Sequence, residues 1–254
     1  MHSEQQVIHE SPDRPALSES NVIEGEKPDI PTVVRHLKER GFVVLRGVLP
    51  MASVDAVVGR SNDLLAQPSA GGVWGYFRAD HQKKVLLPTL LGKPVYDLIA
   101  NEHIVDIAET YLGVECILAE TNLKADRGVN YMYFPLHSDF AAGWTKNAAL
   151  PSPVTQETMR GPLAMGAAIY FHDTTEGAFA YCEGTHKLGA PHGQRLADYP
   201  KKMQAEIIAK KIRVEGRKGD IVIWDNRCCY HKAAADYPPE EDRIHWRVSI
   251  KPSA

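Results

Sequence analysis

The segment GDIVIWDNRCCYH, Gly219 to His231, sets an unbroken apolar run, Ile221 to Trp224, between a Gly-Asp pair and an Asp-Asn pair. Gly, Asp and Asn favour turns, so the segment reads as a short strand with a turn on either side, and a histidine follows at its far end. Working outward, similar runs occur at 116–124, 131–137, 163–171, 178–183, 212–215, 221–224, 229–233 and 244–250. Short strands spaced in this way predict a sandwich or jelly roll.

The first part of the chain has a different texture. Residues 1–28 are rich in Ser, Glu, Asp and Pro without apolar period, and read as a loosely ordered N-terminal arm that packs at most locally. Asp29 ahead of Ile30-Pro31 is a natural N-cap for a helix carrying Val33, Val34 and Leu37, which stops at Gly41. A strand at 42–45, a helix after Pro50 and a third helix over about 94–112, closed by Gly113, complete a helical flank. The expected organisation is one catalytic domain over 29–254, with the helical flank at 29–113 and the jelly-roll core at 114–254. An insertion over about 141–162 has Gly, Pro, Asn, Ser and Thr but no period, and reads as a functional lid.

Composition narrows the function classes. The 254 residues, 44% of them hydrophobic, suffice for one substantial core. A net charge of -3 without a long Lys/Arg run argues against nucleic acid and for a small-molecule substrate. No stretch approaches the length of a membrane span or a signal peptide's apolar region. Cys116, Cys182, Cys228 and Cys229 show no C-x-x-C spacing, which fits a reducing cytoplasm. Nothing in the chain specifies an oligomeric state.

His137-Ser138-Asp139 follows a strand-like run, and residues at i and i+2 of a strand point to the same face. An imidazole and a carboxylate can thus meet one metal. With 11 histidines in the chain an H-x-D triplet is a weak signal, and His231 alone reads as a core or loop histidine. Together, His137, Asp139 and His231 make the two-histidine, one-carboxylate set of non-haem iron, which leaves positions for a 2-oxo acid and O2. Arg243 opens the alternating strand Ile244-His245-Trp246-Arg247-Val248-Ser249-Ile250, and its planar fork suits bidentate capture of a carboxylate.

Residues 41–250 resemble the phytanoyl-CoA hydroxylase group of iron/2-oxoglutarate oxygenases in GFVVLRGVLP, the His-Ser-Asp triplet, EGTHKLG and GDIVIWDNRCCYH. The tail is also similar to the taurine dioxygenase group: Trp224-Asp225-Asn226-Arg227, His231, Asp236-Tyr237, Arg243 and Arg247. The resemblance implies a double-stranded β-helix (jelly-roll, cupin-like) core. It also implies iron on His137, Asp139 and His231, and 2-oxoglutarate held by Arg243. Two departures stand out: Ala233, where many relatives place a hydroxyl, and Glu183 in place of the usual proline.

An intact Asp139 occupies the position that related halogenases leave open for chloride, which favours hydroxylation of an unactivated C–H over halogenation. Succinate and CO2 are then the co-products of 2-oxoglutarate, and no catalytic residue beyond the metal ligands is expected. Asn122 and Lys124, two apart on the strand before the triad, can reach the co-substrate or end in solvent. Arg247 can meet the co-substrate or a substrate acid, and the taurine dioxygenase resemblance favours substrate. Phe140 and Trp144 open the insertion, and Trp74, Tyr76 and Arg78 lie in GGVWGYFR. Both groups can cover the mouth of a reactive site or simply pack. Desaturation, ring closure or epimerisation of a natural-product intermediate starts from the same hydrogen abstraction. A metabolite-binding jelly roll without catalysis, and a cupin-type enzyme using another metal, are the remaining readings.

Overall fold

The computed structural model describes residues 17–68, 74–77, 82–85, 87–127, 136–137, 165–188, 196–226, 231–233 and 242–252. Its strands are β1 (Val22–Glu24), β2 (Phe42–Arg46), β3 (Trp74–Phe77), β4 (Gln82–Val85), β5 (Cys116–Arg127), β6 (Met165–Tyr170), β7 (Thr174–Cys182), β8 (Lys211–Gly216), β9 (Ile221–Asp225), β10 (His231–Ala233) and β11 (Asp242–Pro252). Its helices are α1 (Ile30–Arg40), α2 (Met51–Ala66), α3 (Lys93–Ile99), α4 (Glu102–Leu112) and α5 (Lys201–Ala209). The strands form a large sheet in the order β1-β2-β9-β6-β11-β5-β4-β3 and a small sheet in the order β10-β7-β8.

The large sheet is buried differently on its two faces, as period-2 alternation requires. Val43 and Leu45 of β2, Ile221 and Ile223 of β9, Ala167 and Ile169 of β6, Leu123 of β5 and Val85 of β4 share one core with α1 to α4. Their neighbours Phe42, Val44, Val222, Trp224 and Tyr170 turn the other way and meet Tyr181, Ile212 and Val214 of the small sheet. The two sheets therefore face each other across a second core, with helices on the outer face of the large one. Tyr170 spans that core: its hydroxyl donates to the Val214 carbonyl at 2.6 Å and accepts from the Phe179 amide at 3.2 Å. Burial pushes its phenol well above the usual tyrosine range.

Local chemistry explains the helix limits. Asp29 accepts from Thr32 N at 3.3 Å, and Gly41 ends α1 in the left-handed conformation at φ 90°. A Cβ at Gly41 would collide with Tyr181 and His186. His186, in the 3-10 turn Thr185–Leu188, meets the Lys38 carbonyl at 3.0 Å, and Gly184 N donates to the Arg40 carbonyl at 2.8 Å. The EGTHKLG segment thus closes the C-terminal end of α1, and Glu183 adds a 3.7 Å ion pair with Arg40.

Three expectations are corrected. The single helix over 94–112 is two, because Asn101 caps a new one by accepting from His103 N at 3.1 Å. The flank contains the hairpin β3–β4, whose short strands are stabilised by extending the edge of β5. Part of the expected arm is ordered: Val22–Glu24 pairs in parallel with Val44–Arg46, and Arg46 grips both Glu24 and Asp220. The expected strand at 131–137 is described only at Leu136 and His137, and the insertion at 141–162 lies outside the described residues.

Candidate active site

Buried polar chemistry begins at the WDN segment. Asp225 is fully buried on the helix side of β9, where the Tyr111 hydroxyl of α4 donates to its Oδ2 at 2.6 Å. Asp225 N donates to the Gly41 carbonyl at 2.8 Å, tying β9 to the end of α1. Trp224 points the other way, and its indole N–H donates to Asn226 Oδ1 at 3.2 Å. A Cβ at Gly166 on β6 would strike that indole, so a glycine is required beneath it. These contacts fix the chain where it leaves β9 toward His231.

β10 then runs antiparallel to β7, with His231 opposite Tyr181 and Ala233 opposite Phe179. His137 is half-buried and makes an isolated β-bridge. Its neighbour Leu136 packs with Cys182, Tyr199 and Ile207. Cys182 directly follows Tyr181, the position opposite His231 on β7. Asp139 lies outside the described residues, as do Phe140, Trp144 and Arg78. Among the described residues no group of three or more His, Cys, Asp and Glu is placed to hold a metal ion.

The co-substrate candidates sit on the large sheet in register. Val44, Val222, Ala168, Arg247 and Asn122 are directly opposed across β2, β9, β6, β11 and β5. Val44 and Val222 belong to the core between the sheets, so this row lies on the inner face. The next row holds Tyr170, His245, Lys124, Lys84 and Gly75, and the one beyond holds Arg243, Asp126 and Gln82. Positions 243 and 247 of β11 and Asn122 and Lys124 of β5 thus line one inner surface. Asn122 is buried at 2% exposure, while Lys124 is half-buried. Trp74 lies on β3 at the outer edge, opposite Val85, in the alternate set of rows that serves the helix side.

Sequence reasoning missed Lys84, which the hairpin places beside Lys124. The signal was present as Lys83-Lys84, but without the hairpin nothing said which lysine turns inward. Lys83 turns outward and donates to the Leu65 carbonyl at 3.3 Å, at the C-terminal end of α2.

Residues 136–249 match the family model "Taurine catabolism dioxygenase TauD, TfdA family". No curated protein matches the chain by sequence. Among solved structures, the non-haem alpha ketoglutarate dependent epimerase SnoN from nogalamycin biosynthesis superposes with a TM-score of 0.63 at 18% identity, over 88% of this chain and 83% of its own. EctD from S. alaskensis, solved with 2-oxoglutarate and 5-hydroxyectoine, gives 0.64 at 17% identity, over 96% and 85%. The non-haem alpha ketoglutarate dependent carbocyclase SnoK from nogalamycin biosynthesis gives 0.59 at 16% identity, over 87% and 83%. At these identities the likeness is one of fold. The family match spans His137, Asp139, His231, Arg243 and Arg247. The C-terminal part of the chain thus matches the TauD, TfdA family model, and its fold is similar to that of SnoN, EctD and SnoK.

Proposed function

We propose that this chain is a non-haem Fe(II)/2-oxoglutarate-dependent dioxygenase on a double-stranded β-helix core, and that it hydroxylates an unactivated C–H of a small polar metabolite. The reading is supported by the match of 136–249 to the TauD, TfdA family model, by the position of His231 opposite Tyr181 on β7, and by the packing of Leu136, next to His137, in the cluster that contains Cys182. Arg243 and Arg247 stand on the facing sheet within the segment that matches the family model.

The donor set fits iron: two imidazoles and a carboxylate leave open positions that a hard metal chelated by a 2-oxo acid needs. His137, Asp139 and His231 would hold it, and the bound metal with 2-oxoglutarate supplies C–H oxidation coupled to decarboxylation to succinate. The protein's part is placement. Arg243 would grip the distal carboxylate of 2-oxoglutarate bidentately, with Asn122 and Lys124 beside it on β5, and Arg247 would face the substrate. The aromatic wall of Phe42, Tyr181, Phe179 and Trp224 keeps the adjoining interior dry, which strengthens each of these charge contacts. Phe140, Trp144 and Arg78 would close over the mouth, whereas the register puts Trp74 opposite Val85 among the rows of the helix side. Among the described residues no helix is long and apolar enough to cross a membrane. The cysteine spacing, without C-x-x-C pairs, supports our placement of the protein in a reducing cytoplasm.

Succinate release from 2-oxoglutarate under O2, screened with small polar metabolites, tests the reading. Wild type should turn over, His137→Ala should be inactive, and Arg243→Ala should raise the KM for 2-oxoglutarate about tenfold or more. Metal-dependent turnover without 2-oxoglutarate would favour the cupin-type reading. Metabolite binding without turnover would favour a binding protein.

The fold shared with an epimerase and a carbocyclase supports a second outcome, desaturation, ring closure or epimerisation of a natural-product intermediate. Product analysis under isotopically labelled O2 separates the two. Hydroxylation carries the label into product, whereas the alternatives leave it in succinate and water.

A further inference from the structure

Exposed apolar side chains gather in one part of the fold. Apart from Met51, the large hydrophobics left exposed among the described residues are Leu87, Leu90, Tyr96, Val114, Ile117 and Leu118. Beyond the Val85↔Leu123 pair the chain runs on toward the start of β5 and enters the 3-10 turn Pro88–Leu91, which packs against both β5 and α3. Leu87 caps that turn, and the Leu90 amide donates to its carbonyl at 3.0 Å. Residues three apart in a 3-10 turn eclipse, so Leu87 and Leu90 stand on one side in solvent while Pro88 and Leu91 are buried on another.

Val114 leads from α4 into β5, where Ile117 pairs with Lys251 and Leu118 with Ile250 of β11. Consecutive strand residues point to opposite faces, yet Ile117 is 54% and Leu118 44% exposed, so the start of β5 is bare on both faces. β4 pairs with β5 from Leu123 to Asp126, so among the described strands 116–121 is paired on its β11 side alone. A cover lying on one face of the sheet would leave Ile117 or Leu118 in water, and a partner must therefore meet this strand edge-on.

The six side chains expose roughly 500 Å² of apolar surface, about the apolar share of one partner's side in a standard interface of ~800 Å² per side. Charges of both signs border it, Lys93 with Asp97 on α3 and Glu115 ahead of β5. A border of mixed sign can complement a copy of itself, whereas a charged polymer or an anionic lipid surface calls for a border of one sign. We propose that this surface is the twofold interface of a homodimer, in which Leu87, Leu90, Ile117 and Leu118 of one chain pack against the same residues of a second copy. The inference stands on exposure and strand register and is independent of the oxygenase reading.

Sedimentation velocity of the full chain tests it. Wild type should sediment as a species of twice the 28.2 kDa chain mass. Leu90→Glu and Ile117→Glu, both at exposed positions, should each weaken the dimer about tenfold or more without change in far-ultraviolet circular dichroism, and Leu90→Met should retain it. Met51→Glu, beside Gly219 and outside the patch, should leave the dimer intact. Hydrogen exchange adds a reciprocal readout: amides of 114–121 should exchange faster in Leu90→Glu than in wild type, and those of 87–91 faster in Ile117→Glu. Monomeric wild type, a dimer indifferent to both glutamate substitutions, or exchange unchanged in the reciprocal segments overturns the proposal. Monomeric wild type protected over these segments by neutral phosphatidylcholine vesicles would assign the patch to a lipid surface, and overturns it as well.

Discussion

Asp225 is a buried carboxylate that the proposed chemistry does not use, and its partner Tyr111 comes from a helix far away in sequence. Tyr111→Phe removes one donor while keeping the ring, and should destabilise the protein by about 1–3 kcal/mol in urea denaturation. Because Asp225 is held just ahead of the turn to His231, the same variant should also bind Fe(II) more weakly. Unchanged stability and metal affinity would contradict that positioning role. His36 makes a different kind of prediction. Burial, followed by the neighbouring charges of Arg40 and Arg35, lowers its pKa below 6.5, while Glu39 acts the other way. The unfolded chain therefore takes up a proton near pH 6.5 that the folded chain refuses, so this contribution is complete above pH 6.5 and is lost as pH falls through the lowered value. His36→Gln should flatten the fall in Tm on the acid side of that pH. An identical slope in the variant would assign the acid sensitivity to other groups. At this scale chemistry and spacing in the sequence single out His137, His231 and Arg243 as candidates. It was silent on Tyr111, whose role comes from packing against a residue distant in the chain.

The element scale is governed by what holds the sheet edges. β1 is a short parallel edge strand, and Arg46 on β2 locks it by reaching Glu24 on one side and Asp220 on the other, with contacts of 2.9 Å to each. Asp220 also accepts from Arg217 N at 2.8 Å, so its carboxylate organises the turn into β9. Asp220→Ala should cost about 2–3 kcal/mol, less than a fully buried pair would because the Arg46 side chain keeps 22% of its surface in solvent. Denaturant midpoints for this variant and for Glu24→Ala separate the buried contact from the exposed one, which should cost under about 1 kcal/mol. The break between α3 and α4 is a second case. Asn101→Ala removes a cap and should lower stability by about 1 kcal/mol. A rise in stability would mean that the sequence prefers the continuous helix. Helix α1 was readable from Asp29, Pro31 and Gly41 because caps are local signals. The hairpin β3–β4 was not, since its strands exist by pairing with β5. Helix α5 was overlooked although Met203 and Ile207 stand at helical spacing and pack in the cluster around Cys182. That signal was present.

For the whole molecule, the account joins two facing sheets with different tasks. The small sheet places the His231 position alongside β7, and Leu136 packs in the cluster that contains Cys182, while β11 and β5 of the large sheet carry positions 243, 247, 122 and 124 on one face. Tyr170 ties the two sheets together, and Tyr170→Phe should lose about 1–3 kcal/mol because the Val214 carbonyl loses a buried donor and the Phe179 amide loses an acceptor. The sequence conveyed this architecture through strand spacing and one C-terminal pattern, whereas the division of strands between the sheets needed the register. The central claim is that metal and 2-oxoglutarate meet between them. Anaerobic ultraviolet-visible titration of the metal-free protein with Fe(II) and then 2-oxoglutarate measures this directly. The account predicts a weak visible metal-to-ligand charge-transfer band in wild type, absent from His137→Ala and from Arg243→Ala at the same concentrations. Bound iron with no such band in wild type would contradict it.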